Sequence, residues 1–221
     1  MATSNTYTFN PEIAELIDEA CERAGIDPET MTSRHLRSAR RSMNFIFTDW
    51  ANEGINLWHI EQETIPLVQG TATYNTPDDT IALLEVIYRA NGTDTIVEPM
   101  ARDEYASLPT KTDQGQPSRY YFDRQITTQT ITLWQVPDAT TASLVYYRWR
   151  QYQDAGLSSN TAEVPYRWLE ALTAELAGRL AAKYNPEREQ TLLRKADEAF
   201  RKAKIEDRQR TPTMMRVNYR R

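Results

Sequence analysis

Hydrophobic residues recur every three to four positions near both ends of this chain, but at shorter intervals in between. The recurrence at the ends predicts amphipathic helices that each bury one face. The middle, about residues 58–160, is rich in Tyr, Ile, Val and Thr, and 16 of the 26 threonines lie in residues 64–161. This composition is typical of strands. The pattern therefore predicts helices, then short strands, then helices again.

The first predicted helix begins near Asn10 and ends at Gly25. We expect Asn10 to cap it and Pro11 to occupy its first turn, and glycine is the usual residue just past a helix end. Its apolar stripe consists of Ile13, Leu16, Ile17, Ala20, Cys21 and Ala24. Because Cys21 belongs to this stripe, we expect an inert, buried thiol.

The second predicted helix starts after Thr32, runs to about Asn52 and stops at Gly54. Its apolar positions are Leu36, Ala39, Met43, Ile46, Phe47 and Trp50, and its first turns carry Arg34, Arg37, Arg40 and Arg41. At three- and four-residue spacing, most of these arginines share one side of the helix. Three interpretations stay open: ion pairs with the acidic first helix, contact with a neighbouring subunit, or contact with DNA.

The strand-rich middle predicts a small antiparallel sandwich or barrel of six to eight strands. Gln69-Gly70 predicts a hairpin between residues 64–68 and 71–74, and Asn91-Gly92 is the strongest hairpin signal in the chain. The strands after this second turn are expected at 95–98, 119–123, 130–135 and 143–150, in a meander, and one helical turn is expected at 102–107.

Helical periodicity returns at Pro165 and is interrupted at Asn185-Pro186, since proline disfavours helical geometry in the residue before it. The third helix places Leu169, Leu172, Leu176, Leu180 and Tyr184 at helical spacing. The fourth, about 186–208, is expected to turn inward Leu192, Leu193, Ala196, Ala199, Phe200 and Ala203. The many alanines of both helices would permit close helix approach.

The last 14 residues, 208–221, differ from the rest because they hold five arginines and no acidic residue. Pro212 prevents the preceding helix from continuing. Arginine, methionine and tyrosine are enriched at interface cores. We therefore favour an arm that orders on a partner over a solvated tail, with contacts through Arg208, Arg210, Met214, Met215, Arg216, Val217, Tyr219, Arg220 and Arg221.

The predicted fold class is thus α+β, an antiparallel helical bundle with an inserted small antiparallel β-sandwich or barrel and an extended C-terminal arm. Residues 1–57 and 161–207 are expected to form the two halves of the helical domain. Residues 58–160 form the β insert, and residues 208–221 form the basic arm.

Catalytic and metal-binding chemistry finds little support in this sequence. One cysteine and two histidines exclude an internal disulfide, a multi-cysteine zinc site and a three-histidine metal site. We expect structural roles for His35 and His59. Glu61 and Glu63 would share one face of a strand, but exposed edge-strand charge is the commoner reason for such a pair. We therefore predict no catalytic residue, no cofactor and no metal.

No apolar run of 18 residues occurs, so no membrane span is predicted. The first residues lack the basic start and apolar stretch of a signal peptide, and synthesis and folding in the cytoplasm are expected. The net charge of −5 combines a basic last segment with 207 preceding residues that sum to −10. That acidic balance opposes docking onto DNA.

Three stretches of the chain carry a resemblance to a known family. NLWHIEQETIPLVQGTATYNTPDD resembles the hairpin of the head-to-tail adaptor proteins of short-tailed phages, which are also called tail tubular or tail accessory proteins. GQPSRYYFDRQITTQTITLWQVPD is similar to a strand pair of that family, and VPYRWLEALTAELAGRLAAKYN to the helix that follows. The match covers most of residues 10–205, and the order of helices, β insert and helices is its most specific feature.

The resemblance implies a structural protein rather than an enzyme. Twelve copies would form a ring under the portal at the head-tail junction of the virion, retain the packaged DNA and extend its channel. The ring would offer a platform for tail nozzle or tail fibre proteins, and DNA would pass through the lumen without specific binding. Residues 208–221 would reach along the portal.

The residues of the first two helices are compatible with such a ring. Residues 1–30 hold seven acids and one arginine, so the first helix and the arginine-bearing second helix offer opposite charges. The expected subunit interface consists of Glu15, Asp18 and Glu22 with Arg34, Arg37 and Arg41. Two alternatives are a tail-associated cell-wall hydrolase using Glu61, Glu63 and Asp103, and a nucleic-acid binder using Arg34–Arg41 and the basic arm.

Overall fold

The computed structural model describes residues 3–54 and 57–207, in which loops connect five helices and ten strands. The helices are α1 (Ile13–Ala24), α2 (Ser33–Asn52), α3 (Arg102–Ser107), α4 (Leu169–Tyr184) and α5 (Pro186–Glu206). The strands are β1 (Ile60–Pro66), β2 (Thr73–Asn75), β3 (Thr80–Ala90), β4 (Thr93–Ile96), β5 (Glu98–Pro99), β6 (Gln114–Gly115), β7 (Arg119–Asp123), β8 (Thr130–Trp134), β9 (Val136–Pro137) and β10 (Ser143–Arg150). The predicted α+β class is confirmed.

Two structural units can be distinguished. The described residues up to 54 pack with residues 153–207 into a helical unit built from α1, α2, α4 and α5, whereas residues 57–152 form a β unit that includes the short helix α3. The helical unit is therefore assembled from both ends of the described chain.

Helix α1 buries all six apolar residues of its predicted stripe and ends at Gly25, which has a positive φ of 78°. The predicted cap at Asn10 is wrong, because Glu12 is the N-cap residue. The amides of Ile13 and Ala14 donate instead to the carbonyl oxygens of Asn160 (2.8 Å) and Ser158 (3.0 Å). A distant loop therefore satisfies donors that a local side chain was expected to satisfy.

Helix α2 follows Thr32 and ends at Asn52, as the sequence predicts. The backbone amide of Thr32 donates to His35 Nδ1 at 3.2 Å, which ties His35 to the helix start. Five of the six predicted apolar positions are buried, and Leu36 is half-buried.

Helix α4 is the centre of the helical unit, with most of its residues buried. A 3₁₀ turn at Tyr166–Trp168 precedes it. The Trp168 ring lies 5.0 Å from Trp50 and 5.5 Å from Phe200. These aromatic contacts join α2 and α5 to the start of α4 and supply burial that the small side chains do not.

The β unit contains two four-stranded sheets, in the orders β1-β10-β3-β4 and β2-β8-β7-β5, with β6 and β9 as a further pair. Both sheets contribute to one hydrophobic cluster, whose buried members are Leu67, Tyr74, Val86, Tyr88, Val97, Tyr120, Ile131, Leu133, Ala142, Leu144 and Tyr146. Most pairings are antiparallel, whereas β5 with β7 and β6 with β9 are parallel.

The hairpin predicted around Gln69-Gly70 is wrong. The turn itself forms, because the Thr71 amide donates to the Val68 carbonyl oxygen. However, β1 pairs with β10 and β2 pairs with β8, so the turn leads from one sheet to the other. Burial of Leu67 and Tyr74 in the shared cluster favours this crossing over a local hairpin.

The hairpin predicted at Asn91-Gly92 is confirmed. Both residues have positive φ (52° and 76°), and Ala90 pairs with Thr93 across the turn. The predicted meander is wrong at both ends, because β5 pairs parallel with β7 and β10 lies between β1 and β3. This central position gives β10 backbone partners on both edges.

Candidate subunit interface

Helix α1 presents an acidic face to solvent. Its exposed side chains Glu15, Asp18, Glu19 and Glu22 lie opposite the buried stripe that includes Ile17 and Ala20. This separation follows from the 3.6-residue period of the helix. We call these four residues the acidic face.

Helix α2 presents an arginine-rich face to solvent. Arg34, Arg37 and Arg41 are exposed, Arg40 is half-buried, and Phe45 continues the same side one turn later with 57% of its surface exposed. We call Arg34, Arg37, Arg41 and Phe45 the basic face. The sequence prediction missed Phe45, although its four-residue spacing from Arg41 was a usable signal.

The two faces do not pair with each other within the chain. Across residues 3–54 and 57–207, no ion pair joins an arginine of the basic face to a carboxylate of the acidic face. Glu19 contacts Arg23 at 2.7 Å, and Arg23 also binds Glu170. The intramolecular pairing that the sequence left open is therefore not seen in the described residues.

Lys183 adds positive charge beside the basic face. Its Nζ donates to Ser38 Oγ (3.1 Å) and Ser42 Oγ (2.6 Å) on α2. Burial, followed by the charges of Arg41 and Arg179, lowers the pKa of Lys183. Burial is the larger cause, and the smaller contributions of Arg41 and Arg179 show that Lys183 at the end of α4 lies within reach of their charges.

Glu61 and Glu63, two of the candidate residues of the hydrolase alternative, belong to an ion-pair cluster around Arg148. The Arg148 side chain is only 6% exposed; it donates to Glu61 at 2.8 Å, lies 3.6 Å from Glu63 and binds Asp79. Arg150 binds the other oxygen of Glu61 at 2.6 Å. The two carboxylates therefore bind a buried guanidinium, whereas the sequence favoured exposed charge on an edge strand. Sequence reasoning missed Arg148 altogether.

Asp103, the third suspect of the hydrolase alternative, is exposed in the first turn of α3. It makes no ion pair with a described residue. The three suspects are therefore not held by one ion-pair cluster.

The remaining candidate residues have packing roles. His59 is fully buried, with its ring 3.9 Å from that of Tyr152, and His35 packs edge-on against Tyr184 at 4.7 Å. Cys21 is buried as predicted, and burial raises the pKa of its thiol to about 11. Within the described residues, no group of three or more His, Cys, Asp or Glu is placed to hold a metal ion.

A surface groove of about 560 Å³ lies between α2, α4 and α5, with Trp50, Phe200 and Leu193 among its lining residues. Its carboxylates are already paired: Asp49 with Arg179, Glu53 with Lys204, and Asp197 with Arg201. The groove thus offers an aromatic floor with little free charge.

The residues predicted to bind the portal lie outside the described residues, since these end at Asp207. They are Arg208, Arg210, Met214, Met215, Arg216, Val217, Tyr219, Arg220 and Arg221. Asp207 itself is buried and forms an ion pair with Arg167. The last described residue is therefore anchored to the helical unit.

Comparison with known protein families decides the class of this chain. The family model described as SU10 adaptor protein matches residues 11–220. The chain belongs to the SU10 adaptor protein family. This match confirms the phage adaptor part of the sequence resemblance, while the restriction to short-tailed phages stays a prediction.

The match to the SU10 adaptor family begins at residue 11 and includes the helices of the helical unit and all of the β unit. No curated protein matches the chain. Among the described helices, none combines the length and apolar character that crossing a membrane requires.

Proposed function

We propose that this SU10 adaptor is a structural head-to-tail connector. Copies of the chain form a ring under the portal at the head-tail junction, with twelve as the expected number. The ring retains packaged DNA, extends the DNA channel and serves as the docking platform for the tail. Family membership supports the adaptor role, and the two charged faces support contacts between copies.

The observation that carries the proposal is the exposure of two faces of opposite charge that are not paired with each other. A ring closes when each subunit offers two different, complementary surfaces to its neighbours. Glu15, Asp18 and Glu22 would supply one surface, and Arg34, Arg37 and Arg41 the other. Such charges set approach and register more than affinity, so apolar contacts must supply much of the binding energy.

Residues 208–221 are proposed to fasten the ring to the portal. Ordering 14 residues opposes binding by about 1–2 kcal/mol per residue. The segment therefore has to bury Met214, Met215, Val217 and Tyr219 and to pair several arginines. Because Asp207 is held by Arg167, the arm would leave the helical unit from a fixed point.

The β unit is proposed to face tail nozzle or tail fibre proteins, and DNA is proposed to pass through the lumen without specific binding. The 31 acidic residues outnumber the 26 basic ones, which disfavours strong phosphate contacts. We place the assembled protein in the virion after synthesis in the host cytoplasm. Tight DNA retention by the ring at low salt would count against the proposed lumen.

The proposal is tested by the mass of the full-length protein alone and after mixing with purified portal rings. We expect a small species alone and a ring of many copies on the portal, which mass photometry or native mass spectrometry would resolve. A protein that stays small in the presence of the portal would contradict the proposed function.

Two controls separate this function from the alternatives. A zymogram comparing wild type with Glu61→Gln tests cell-wall hydrolysis, and we expect no cleared zone from either protein, because Glu61 is held by Arg148 and Arg150. A salt titration of DNA binding tests the nucleic-acid alternative, which requires a steep loss of affinity with salt.

A further inference from the structure

The charged residues of the two faces follow matching intervals. Arg34, Arg37 and Arg41 are separated by three and then four residues. Read from its C-terminal end, α1 offers Glu22, Glu19 and Glu15 at the same two intervals. The first and last members of each set are seven positions apart, or about 10.5 Å along a helix axis. Two such helices on neighbouring copies can therefore align three opposite charges at once.

Charge spacing alone permits two orientations. In the antiparallel one, Arg34 meets Glu22, Arg37 meets Glu19 and Arg41 meets Glu15. In the parallel one, Arg34 meets Glu15, Arg37 meets Asp18 and Arg41 meets Glu22. A second feature is needed to choose between them.

Phe45 supplies that feature, because it lies one turn beyond Arg41 and is 57% exposed. In the antiparallel orientation it lies beyond Glu15, near the start of α1. Two exposed apolar side chains belong to that end: Phe9 (78%) precedes α1, and Leu157 (67%) lies in the loop bound to it.

The loop that carries Leu157 is fixed to α1 by backbone hydrogen bonds. The amides of Ile13 and Ala14 donate to the carbonyl oxygens of Asn160 (2.8 Å) and Ser158 (3.0 Å). Within the loop, the Leu157 amide donates to Asn160 Oδ1 at 2.7 Å. Leu157 is therefore held beside the start of α1, where it can contact the Phe45 ring of a neighbouring copy.

The parallel orientation offers Phe45 no exposed apolar side chain to pack against. It would place Phe45 beyond Glu22, past the end of α1, where Ile26 is buried and the exposed residues Gly25 and Asp27 offer no apolar side chain. In the antiparallel orientation the N-terminus of α2 also lies beside the C-terminus of α1, which the helix dipoles favour, whereas the parallel orientation would bring the two N-termini together.

We propose that α1 of one copy packs antiparallel on α2 of the next, with Arg34, Arg37 and Arg41 opposite Glu22, Glu19 and Glu15. Phe45 packs against Leu157 and Phe9 of the neighbouring copy. This assignment rests on the proposed function, because it requires the copies to touch through these two faces. It adds the orientation, the register and the apolar end of the contact, and it places Glu19, which also contacts Arg23, rather than Asp18 opposite Arg37.

Charge exchange at Glu15 tests the orientation, because its partner is Arg41 in one arrangement and Arg34 in the other. The full-length variants are Glu15→Arg, Arg41→Glu and Arg34→Glu, with the doubles Glu15→Arg/Arg41→Glu and Glu15→Arg/Arg34→Glu. Each is mixed with portal rings, and ring assembly is followed by mass. Matching circular dichroism spectra and melting temperatures confirm that each variant folds.

We expect every single reversal to weaken ring assembly by about tenfold or more. The double Glu15→Arg/Arg41→Glu should recover most of the assembly, whereas Glu15→Arg/Arg34→Glu should not. Recovery by the second double alone would overturn the antiparallel assignment and leave the proposed function standing. Single reversals without effect would show that these faces do not meet, whereas failure of the wild type to assemble would contradict the proposed function itself.

Disulfide trapping gives an independent readout on the assembled ring. Glu15→Cys/Arg41→Cys should form crosslinked multimers on mild oxidation, and Glu15→Cys/Arg34→Cys should not. Phe45→Ala should also weaken assembly, with Ile205→Ala as the matched control, since Ile205 is similarly exposed (62%) on α5. Crosslinks confined to the second pair, or equal effects of the two alanine variants, would overturn the register.

Discussion

Gly178 on α4 lies so close to Leu193 on α5 that a Cβ atom added to the glycine would stand 2.7 Å from Leu193 Cδ2 and 3.2 Å from its Cγ. The small residue at this position allows the two helices to approach. Leu193 covers the gap while keeping 40% of its surface exposed. The close contact therefore requires both the absence of a side chain at Gly178 and the leucine side chain at Leu193.

Substitution Gly178→Ala is expected to lower the free energy of unfolding by about 1 kcal/mol. Overpacking against Leu193 opposes folding by about 1–3 kcal/mol, and the better helix propensity of alanine returns about 1 kcal/mol. The same substitution in a Leu193→Ala background should stabilise by about 1 kcal/mol, because only the propensity gain remains. Urea unfolding of the four proteins measures this coupling, and equal effects in both backgrounds would contradict the contact.

Substitution Arg148→Met is expected to destabilise the protein by about 2–4 kcal/mol. It removes the guanidinium that Glu61, Glu63 and Asp79 surround, and breaking a buried ion pair leaves uncompensated charge. The half-exposed carboxylates keep the effect below that of a fully buried cluster.

Arg89→Met is the matched control for Arg148→Met. Arg89 also binds a carboxylate, Asp94, but both side chains are 45% exposed. Solvent screens an exposed pair of this kind, so its removal should cost far less stability than removal of the buried Arg148. Urea unfolding should therefore separate the two variants clearly, and similar losses would show that burial of Arg148 has no energetic consequence.

The thiol of Cys21 is expected to make stability fall between about pH 9 and pH 11. Burial raises its pKa from 9.0 to about 11, so the folded state keeps a proton that the unfolded state has lost. The contribution is fully present below pH 9 and is lost as the pH rises through 11, with a magnitude of about 2–3 kcal/mol.

Comparison with Cys21→Ala isolates this effect from other titrations. Burial also raises the pKa of Tyr146, to about 12, but that residue is common to both proteins. The stability advantage of the wild type over Cys21→Ala should therefore shrink or reverse as the pH rises from about 9 to about 11. A constant difference between pH 8 and pH 11 would contradict the predicted linkage.

Truncation after Asp207 is expected to leave the fold intact and to weaken portal attachment by about tenfold or more. The fold should persist because Asp207, with its ion pair to Arg167, remains. Thermal unfolding and a portal pull-down measure the two properties separately. Unchanged attachment would contradict the fastening role of residues 208–221.

Substitution Asp207→Ala in the full-length chain should give the opposite pattern. It leaves Arg167 without this carboxylate, which is expected to lower stability by about 1–3 kcal/mol. Portal attachment should persist at temperatures where the variant is folded. Loss of attachment without loss of stability would assign Asp207 itself to the portal contact.

The helices were predictable from the sequence because their signals are local. The apolar stripe from Ile13 to Ala24 determines which side of α1 is buried, so its acidic residues face solvent. The apolar stripe of α2 likewise leaves the arginines of α2 on the exposed side. The exposure of the acidic and basic faces follows from this geometry. The turn at Asn91-Gly92 was predictable for the same reason, since two adjacent residues specify it.

Partners of the strands and of the buried charges were decided only by the tertiary structure. The strand signals at 64–68 and 71–74 flank a turn and favour a local hairpin. However, β2, which contains Tyr74, pairs with β8, which lies more than 50 residues later in the chain. Arg148 binds Asp79 and Glu61, which precede it by 69 and 87 residues. Spacing along the chain specifies which face of a helix or strand a side chain occupies. The partner on that face depends on which strands share a sheet and a core. Burial of the whole hydrophobic cluster of the β unit decides that pairing.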